Sequence, residues 1–472
     1  MIGADGPHTD LVEAPILERV LHEALRRGGD FAEIFVEDRS SCSIHLDDRK
    51  VEELSSGRDR GAGIRVVVGE TTGFAHTADL SEKGLVLAAE AAAAVAREGG
   101  GGVIKTALSR QASEHQQVGM LPSTVPKSDK VDVLLRADDA SRAAGGAIVQ
   151  VSAGYGDSRR RILVANSDGL LADDDRVRTR LFVTCVASGD GGLQTGSHSL
   201  ACTLGYEMFD EHPVEDVAAE AARRAMTKLR ARPAPTGVLT VVLKSGSGGI
   251  LFHEACGHGL EADHILKDSS AYTGRVGQVV ASPGVTLVDD GTLGPNWGSL
   301  VIDDEGRPAQ RNVLIRDGIL TDYMWDYLRA RKGGRASSGN GRRQSYQYLP
   351  MVRMTNTFLL AGGEDPDEIV SQTPNGVYVA QLGGGQVNTA TGDFVFGMTE
   401  AYLIEGGRIT EPLRNANLIG NGPDVLCKID AIGNDFDMSP GTCGKDGQNV
   451  SVGCGQPTLR ITGVTIGGTA GA

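Results

Sequence analysis

Two histidines and a carboxylate stand within one short stretch, HEACGH, running from His253 to His258. Neutral imidazoles bind divalent transition metals, and a Glu beside such a ligand can take a proton from water. The pattern is that of HExxH zinc proteases with one residue added. In HExxH the histidines are i and i+4, about 40° apart around an α-helix. Here they are i and i+5, about 140° apart in the same geometry. A regular helix would aim them apart. Convergence requires a π-type turn, whose i→i+5 bonding brings such residues to one face, or a break near Gly257. His253 and His258 are therefore candidate ligands, and Glu254 is the candidate base, on condition that the helix is distorted. A catalytic zinc site also needs a third protein donor. The residues leave it open. Glu261, Asp263 and His264 follow closely, while Cys443 and Cys454 lie far along the chain in Gly-rich, turn-like segments.

The elements that must position these groups can be read from patterning. A chain of 472 residues exceeds one compact core, so at least two domains are expected. Arg232 to Gly237, RPAPTG, is the best boundary, giving an N-terminal domain over 1–232 and a C-terminal one over 238–472. In the first, a helix pattern runs from Pro15 to Arg27. Short strand patterns follow from Phe31, Cys42, Val51, Ile64 and Thr71, with a hairpin turn at Gly69–Glu70. An Ala-rich surface helix follows Gly84 and ends at Glu98–Gly102. A second helix starts near Ser128, with that Ser as its cap, and more strands and a helix from Val214 complete the domain. The C-terminal domain shows short strands with Gly and Asn turns, hence a β-rich, barrel-like fold that carries the HEACGH motif. The class is α+β, with antiparallel sheets and helices in the N-terminal domain.

Composition bounds the partners. Hydrophobic residues are 40% and charged residues 23%, ordinary for a soluble globular protein. A formal charge of −15 works against a nucleic-acid partner, which needs Lys and Arg to neutralise phosphates. The most apolar run, LVLAAEAAAAVA, contains Glu90 and is too short to span a bilayer, so no membrane partner is expected. The acidic N-terminus lacks the pattern of a signal peptide, and a cytoplasmic location is expected. The seven cysteines form no CxxC pair and are expected to be mostly reduced, buried small residues. Arg342 and Arg343, in GNGRRQ, could clamp a peptide carboxylate or form a charged surface turn. Asp303–Asp304 could bind a cation or cap a turn. An open strand edge could hold an extended peptide through its backbone.

Several spaced motifs together carry a resemblance. HEACGHGLEAD, SSGNGRRQSY from Ser337, VRMTNTFL from Val352, and the C-terminal GTCGKDGQ and GQPTLRITGVTIGGTA occur in one order along the chain. The sequence resembles the TldD branch of the TldD/PmbA family of metalloproteases over essentially its whole length. The resemblance implies a zinc peptidase in which His253, His258 and a distant cysteine, Cys443, hold Zn²⁺ and Glu254 is catalytic. It also implies a heterodimer with a PmbA/TldE-like subunit lacking the metal motif, although a second copy of this chain remains open. The dimer would enclose a cavity where unfolded or small peptides, including leader peptides of ribosomally made peptides, are trimmed. Cys454, in VGCGQP, departs from the family pattern and leaves a second cysteine as a competing donor. The alternative is a non-catalytic regulator acting through protein binding, such as a modulator of DNA gyrase.

Overall fold

The computed structural model describes residues 11–96, 107–111 and 115–468. The stretch Glu98–Gly102 and the first ten residues lie outside them. The fold is α+β, with 45% strand against 22% helix, so sheets do most of the positioning.

The first sheet has seven strands: β1 (Phe31–Asp47), β2 (Lys50–Val68), β3 (Thr71–Thr77), β4 (Ser109–Arg110), β5 (Ile148–Asn166), β6 (Leu170–Gly189) and β7 (Gly192–Cys202). The order is β3-β2-β1-β5-β6-β4, with β7 also pairing with β6. The short strands expected between Phe31 and Val68 fuse into two long ones, paired from Phe31↔Val67 to Asp47↔Lys50. The polar centre of β1 is not a loop, because its charges are matched across the sheet. Glu37 accepts from Arg160 at 2.6 Å, and Asp38 from Arg161 at 2.7 Å. The β1–β2 turn places Asp48 and Arg49 at φ 47° and 70°, the left-handed pair of a tight hairpin. The expected turn at Gly69–Glu70 joins β2 to β3.

Helices Ala14–Leu25 and Glu82–Val95 cover one end of this sheet. The Ala-rich helix is not merely superficial: Ala88, Ala89, Ala92 and Ala93 are buried. It lies so close to β3 that a Cβ on Gly73 would fall 2.0 Å from the Ala92 carbonyl oxygen. Helices Lys127–Ala143 and Val214–Leu229 pack together over the other end. The first begins one residue before Ser128, with Pro126 at the cap, and the Ser128 hydroxyl bonds Asp129 instead.

The first half of β1 alternates in sequence yet is buried on both faces. Ala32, Ile34 and Val36 enter the core under the first helices. Phe35 turns the other way, into a cluster with Ile302 and Tyr346. Glu33 on that same face pairs with Arg65 at 2.8 Å and with Arg343, and Arg65 also reaches Glu305 at 2.9 Å. The polar face of this sheet is thus a docking face for the later chain. Ion pairs stand where solvent would otherwise be.

Every strand of the remaining sheets lies at Arg232 or beyond, and we propose the division at Arg232–Gly237 on this partition. Arg232–Pro233 itself pairs with Leu413–Arg414. Five strands close into a barrel: Gly237–Leu243, Leu459–Gly467, Ala416–Asn421, Asp393–Glu405 and Asn375–Val387, the last pairing back onto the first. Beside the barrel, a six-stranded sheet ends in the hairpin Gln448–Gln456 and Asp437–Lys445, the latter being the edge strand. Among the described residues no helix is long and apolar enough to cross a membrane.

Candidate metal centre

The motif leaves the barrel directly. Strand Gly237–Leu243 leads through a short turn into helix Gly249–Phe252, which continues as a π-helical turn over His253–Gly257 and a 3₁₀ turn over His258–Leu260. The His258 N–H donates to the His253 carbonyl, the i→i+5 bond that absorbs the extra residue. Gly257 has φ −56°, so its value is not left-handed freedom. Its value is space, since a Cβ there would sit 2.2 Å from the Met354 sulfur. On Gly249 a Cβ would sit 2.2 Å from the Gly455 backbone nitrogen, which locks the helix against the hairpin.

The π turn brings the imidazoles together. Both are buried, with ring centroids 5.2 Å apart and planes at 85°. Cys443 reaches them from the edge strand, where it pairs with Val450. One donor atom from each of His253, His258 and Cys443 lies within 4.8 Å of the others. Cys443 Sγ is 3.3 Å from His258 Nε2. Neither ring nitrogen of His253 has a hydrogen-bond partner, although both are buried. Unpaired buried nitrogens are costly, and a cation bound at this point would satisfy one of them. Burial opposes ionisation of Cys443, but His253 and His258 outweigh it and bring the thiol down to about 4. Two imidazoles and a thiolate-prone cysteine are a suitable donor set for zinc, and the residues fit the group.

Glu254 is the partly exposed member of the cluster, at 24%. Its Oε2 is 3.7 Å from His258 Nε2, so the carboxylate stands at the solvent side of the donors. Behind His258, Glu261 is fully buried, and its Oε2 is 3.0 Å from His258 Nδ1. This contact leaves Nε2 directed at Cys443. Burial opposes the charge of Glu261, yet His258 and Lys445 outweigh it and hold the carboxyl down at about 2. Lys445 Nζ donates to Glu261 and Asp263 at 2.8 and 2.9 Å. The lysine therefore supports the acid behind His258. Glu261 entered the sequence reading as a possible donor. The signal for its present place is the three-residue step from His258, which puts neighbours on one side of a helical turn.

The other candidates are placed as follows. His264 is partly exposed, 4.0 Å from Glu261, and belongs to a separate group with Glu261 and Asp263. Cys454 is buried on the hairpin face that carries Cys443. It lies near His253: burial opposes charging of that imidazole, while Cys454 and Cys443 raise its pKa. It is not part of the three-donor group. Most of the cysteines are buried as expected, while Cys202 is half-buried and Cys427 is exposed.

The two arginines of the expected clamp are both buried. Arg343 is fully buried, pairs with Glu33 and donates to the Asp304 carbonyl, so part of its guanidinium is already committed within the chain. Arg342 is also buried and donates to the Met354 and Ser451 carbonyls. Neither forms a surface turn. Asp303 accepts from the backbone of Glu305, Arg307 and Gly341, and Asp304 pairs with Arg176 at 2.7 Å; both acids hold the docking face together.

Comparison with known proteins agrees with this frame. Residues 32–96 match PmbA/TldA metallopeptidase domain 1, residues 121–229 the central domain and residues 236–468 the C-terminal domain of the same family. A Haemophilus influenzae protein named metalloprotease TldD homolog is 41% identical over 453 residues, covering 94% of each chain. A metalloprotease of Methanothermobacter thermautotrophicus is 34% identical, covering 93% of this chain and 96% of its own. Among solved structures, a Thermotoga maritima protein described as a candidate modulator of a DNA gyrase superposes with a TM-score of 0.81. It is 20% identical and covers 96% of this chain and 99% of its own. TldE from Thermococcus kodakarensis superposes with a TM-score of 0.76 at 19% identity, covering 96% and 99%. At such identity the two structures speak for the fold alone. The matched segments and the extent of the sequence likeness show that the chain belongs to the PmbA/TldD metallopeptidase family, among relatives that carry the TldD name.

Proposed function

We propose that the protein is a zinc-dependent peptidase, with His253, His258 and Cys443 as metal ligands and Glu254 as the general base. The observation that carries this reading is the meeting of three donor atoms within 4.8 Å, with the Glu254 carboxylate at their solvent side. Three protein donors would hold the ion and leave room for water or substrate on it, as a catalytic site requires. When bound, Zn²⁺ supplies Lewis acidity toward a scissile carbonyl and toward water. Glu254 accepts the proton of the attacking water and delivers it to the leaving amine. Glu261 keeps His258 turned toward Cys443, and Lys445 keeps Glu261 ionised.

The substrates in this reading are unfolded or small peptides, leader peptides among them. The edge strand Asp437–Lys445 supports it, because an extended chain could add there through backbone hydrogen bonds with little sequence preference. The working unit is a cytoplasmic heterodimer with a PmbA/TldE-like subunit, or a pair of copies of this chain, that walls off a cavity. The experiment is incubation of the purified protein, alone and with such a partner, with an unfolded peptide. Cleavage abolished by a chelator and restored by zinc is expected. Absence of turnover in both states would favour the non-catalytic regulator, a modulator of DNA gyrase included.

A further inference from the structure

Where the docking face of the first sheet parts from the edge hairpin, a cavity of about 370 Å³ opens. Its walls carry Arg39, Arg160, Arg178, Arg180, Arg342 and Arg343 against a single carboxylate, Asp157. In a chain of net charge −15 this is a local inversion of sign. Asp157 is already committed to Lys130 at 2.6 Å and to the Tyr155 hydroxyl at 2.7 Å. Arg160 and Arg343 are paired with Glu37 and Glu33. Among the described residues, Arg39, Arg178 and Arg180 have no carboxylate within ion-pair distance. Arg178 spends two nitrogens on the Trp297 and Ser299 carbonyls and lies 5.8 Å over the Trp297 ring. Burial, then the charges of Arg176, Arg342 and Arg160, push its pKa well below the ordinary guanidinium value, a repulsion that a bound anion would relieve. Arg180 stands across from Gly156, where a Cβ would fall 2.8 Å from its Nε. The glycine lets the guanidinium lie along the sheet.

The cavity is not a closed anion hole. It shares Arg180, Trp297 and Thr442 with an adjoining cavity of about 440 Å³, whose walls include Phe182, Leu181 and Pro440 together with His45 and Glu53. Thr442 immediately precedes Cys443. The groove formed by the two therefore runs beside the strand that carries a candidate ligand, with arginines crowded at one end and, at the other, a mixed wall in which Leu181, Phe182 and Pro440 stand beside His45 and Glu53. A free inorganic anion would use only the charged end. An extended chain with a carboxylate followed by apolar groups would use both. We propose that this groove is a peptide subsite in which Arg39, Arg178 and Arg180 take a carboxylate of the bound peptide while Trp297 and Phe182 take its apolar neighbours. That the peptide is a substrate rests on the peptidase reading; the binding itself does not.

A peptide offers such a carboxylate on an acidic side chain or at its C-terminus, and the test separates the two. Fluorescent peptides of one length carry Glu or Gln at one position and a free or amidated C-terminus. Their binding to the full-length Glu254→Gln chain, which removes turnover, is read by anisotropy. Arg39 and Arg180 are solvent-exposed, so Arg39→Gln/Arg180→Gln is expected to keep the melting profile of its parent. The carboxylate-bearing peptide should bind the double variant at least about tenfold more weakly, as for lost charge-assisted hydrogen bonds. The neutral peptide should bind both proteins alike. Loss on Glu→Gln in the peptide assigns the side chain, and loss on amidation assigns the C-terminus. Equal binding of acidic and neutral peptides by the parent would overturn the proposal. Unchanged binding of the acidic peptide by the folded double variant would do the same, as would displacement by inorganic phosphate as effective as that by unlabelled acidic peptide. A wild-type protein with no chelator-sensitive cleavage but with this arginine-dependent binding would remove the peptidase reading and leave the subsite standing.

Discussion

Glu254 and Glu261 approach the same histidine, His258, from opposite sides. Glu254 is partly exposed at the front of the donors, whereas Glu261 is buried behind His258. Their substitutions should therefore separate chemistry from metal holding. Glu254→Gln keeps the shape and removes the base, so zinc content should be unchanged while turnover falls by about 10²- to 10⁴-fold. Activity and metal content measured on one preparation check this; near-normal turnover would remove Glu254 from the mechanism. Glu261→Gln should instead weaken zinc affinity by about 10- to 100-fold, as loss of a ligand's orienting partner does. Competition with a chromogenic chelator measures it, and unchanged affinity would leave Glu261 without a positioning role. At this scale the two histidines and Glu254 were legible because they are adjacent in sequence. The link from Lys445 to Glu261 was not, because it joins residues from opposite ends of the second part of the chain.

At the scale of elements, the extra residue of HEACGH called for a π turn or a break, and the chain has a π turn over His253–Gly257. That followed from helix geometry alone. What sequence could not supply was the surface that holds the turn. Gly249 meets the backbone of Gly455 and Cys454, while Gly257 meets the flexible end of Met354. Gly249→Ala should therefore push the helix off the hairpin and reduce both stability and zinc content. Gly257→Ala should be milder, at about 1–3 kcal/mol of overpacking, and shortening Met354 to Ala in the same chain should relieve it. Urea midpoints with zinc analysis for the three variants check the order; a harmless Gly249→Ala would show that the helix is not locked there. The fused strands β1 and β2 show a second limit. Their charged centres look like loops until the arginines of neighbouring strands are seen opposite them.

Over the whole molecule, charge rather than apolar surface alone joins the parts. Helix Val214–Leu229 is tied to the barrel by Arg223 and Arg224, which reach Glu400 at 2.8 and 3.4 Å. Burial opposes ionisation of Glu220, but Arg223 and Arg224 outweigh it and hold the carboxyl at about 2; Glu400 is lowered by the same arginines against the same opposition. A carboxyl depressed in the folded state stabilises the fold above its unfolded pKa, and that contribution is lost as pH falls through the folded value. Stability should thus fall from near pH 4.5 toward pH 2. In Glu400→Gln the fall should be shallower and start from a lower plateau. Urea midpoints across this range measure it, and parallel pH curves would exclude Glu400 as a contributor. Such long-range pairings were invisible in sequence, where the alternation of β1 suggested one wet face; that face is closed by residues some 270 positions away, as Glu33 and Glu305 meet on Arg65.

The account turns on which atoms hold the metal. Zinc per chain, measured after dialysis on the wild type and on Cys443→Ala, Cys454→Ala and His264→Ala, addresses this most directly. Cys443, His253 and His258 form the three-donor group, whereas Cys454 and His264 stand outside it. The expected result is about one zinc in the wild type, the Cys454 variant and the His264 variant, and loss of zinc in the Cys443 variant. Retention of zinc by a folded Cys443→Ala chain, with loss in Cys454→Ala or His264→Ala, would contradict the assignment.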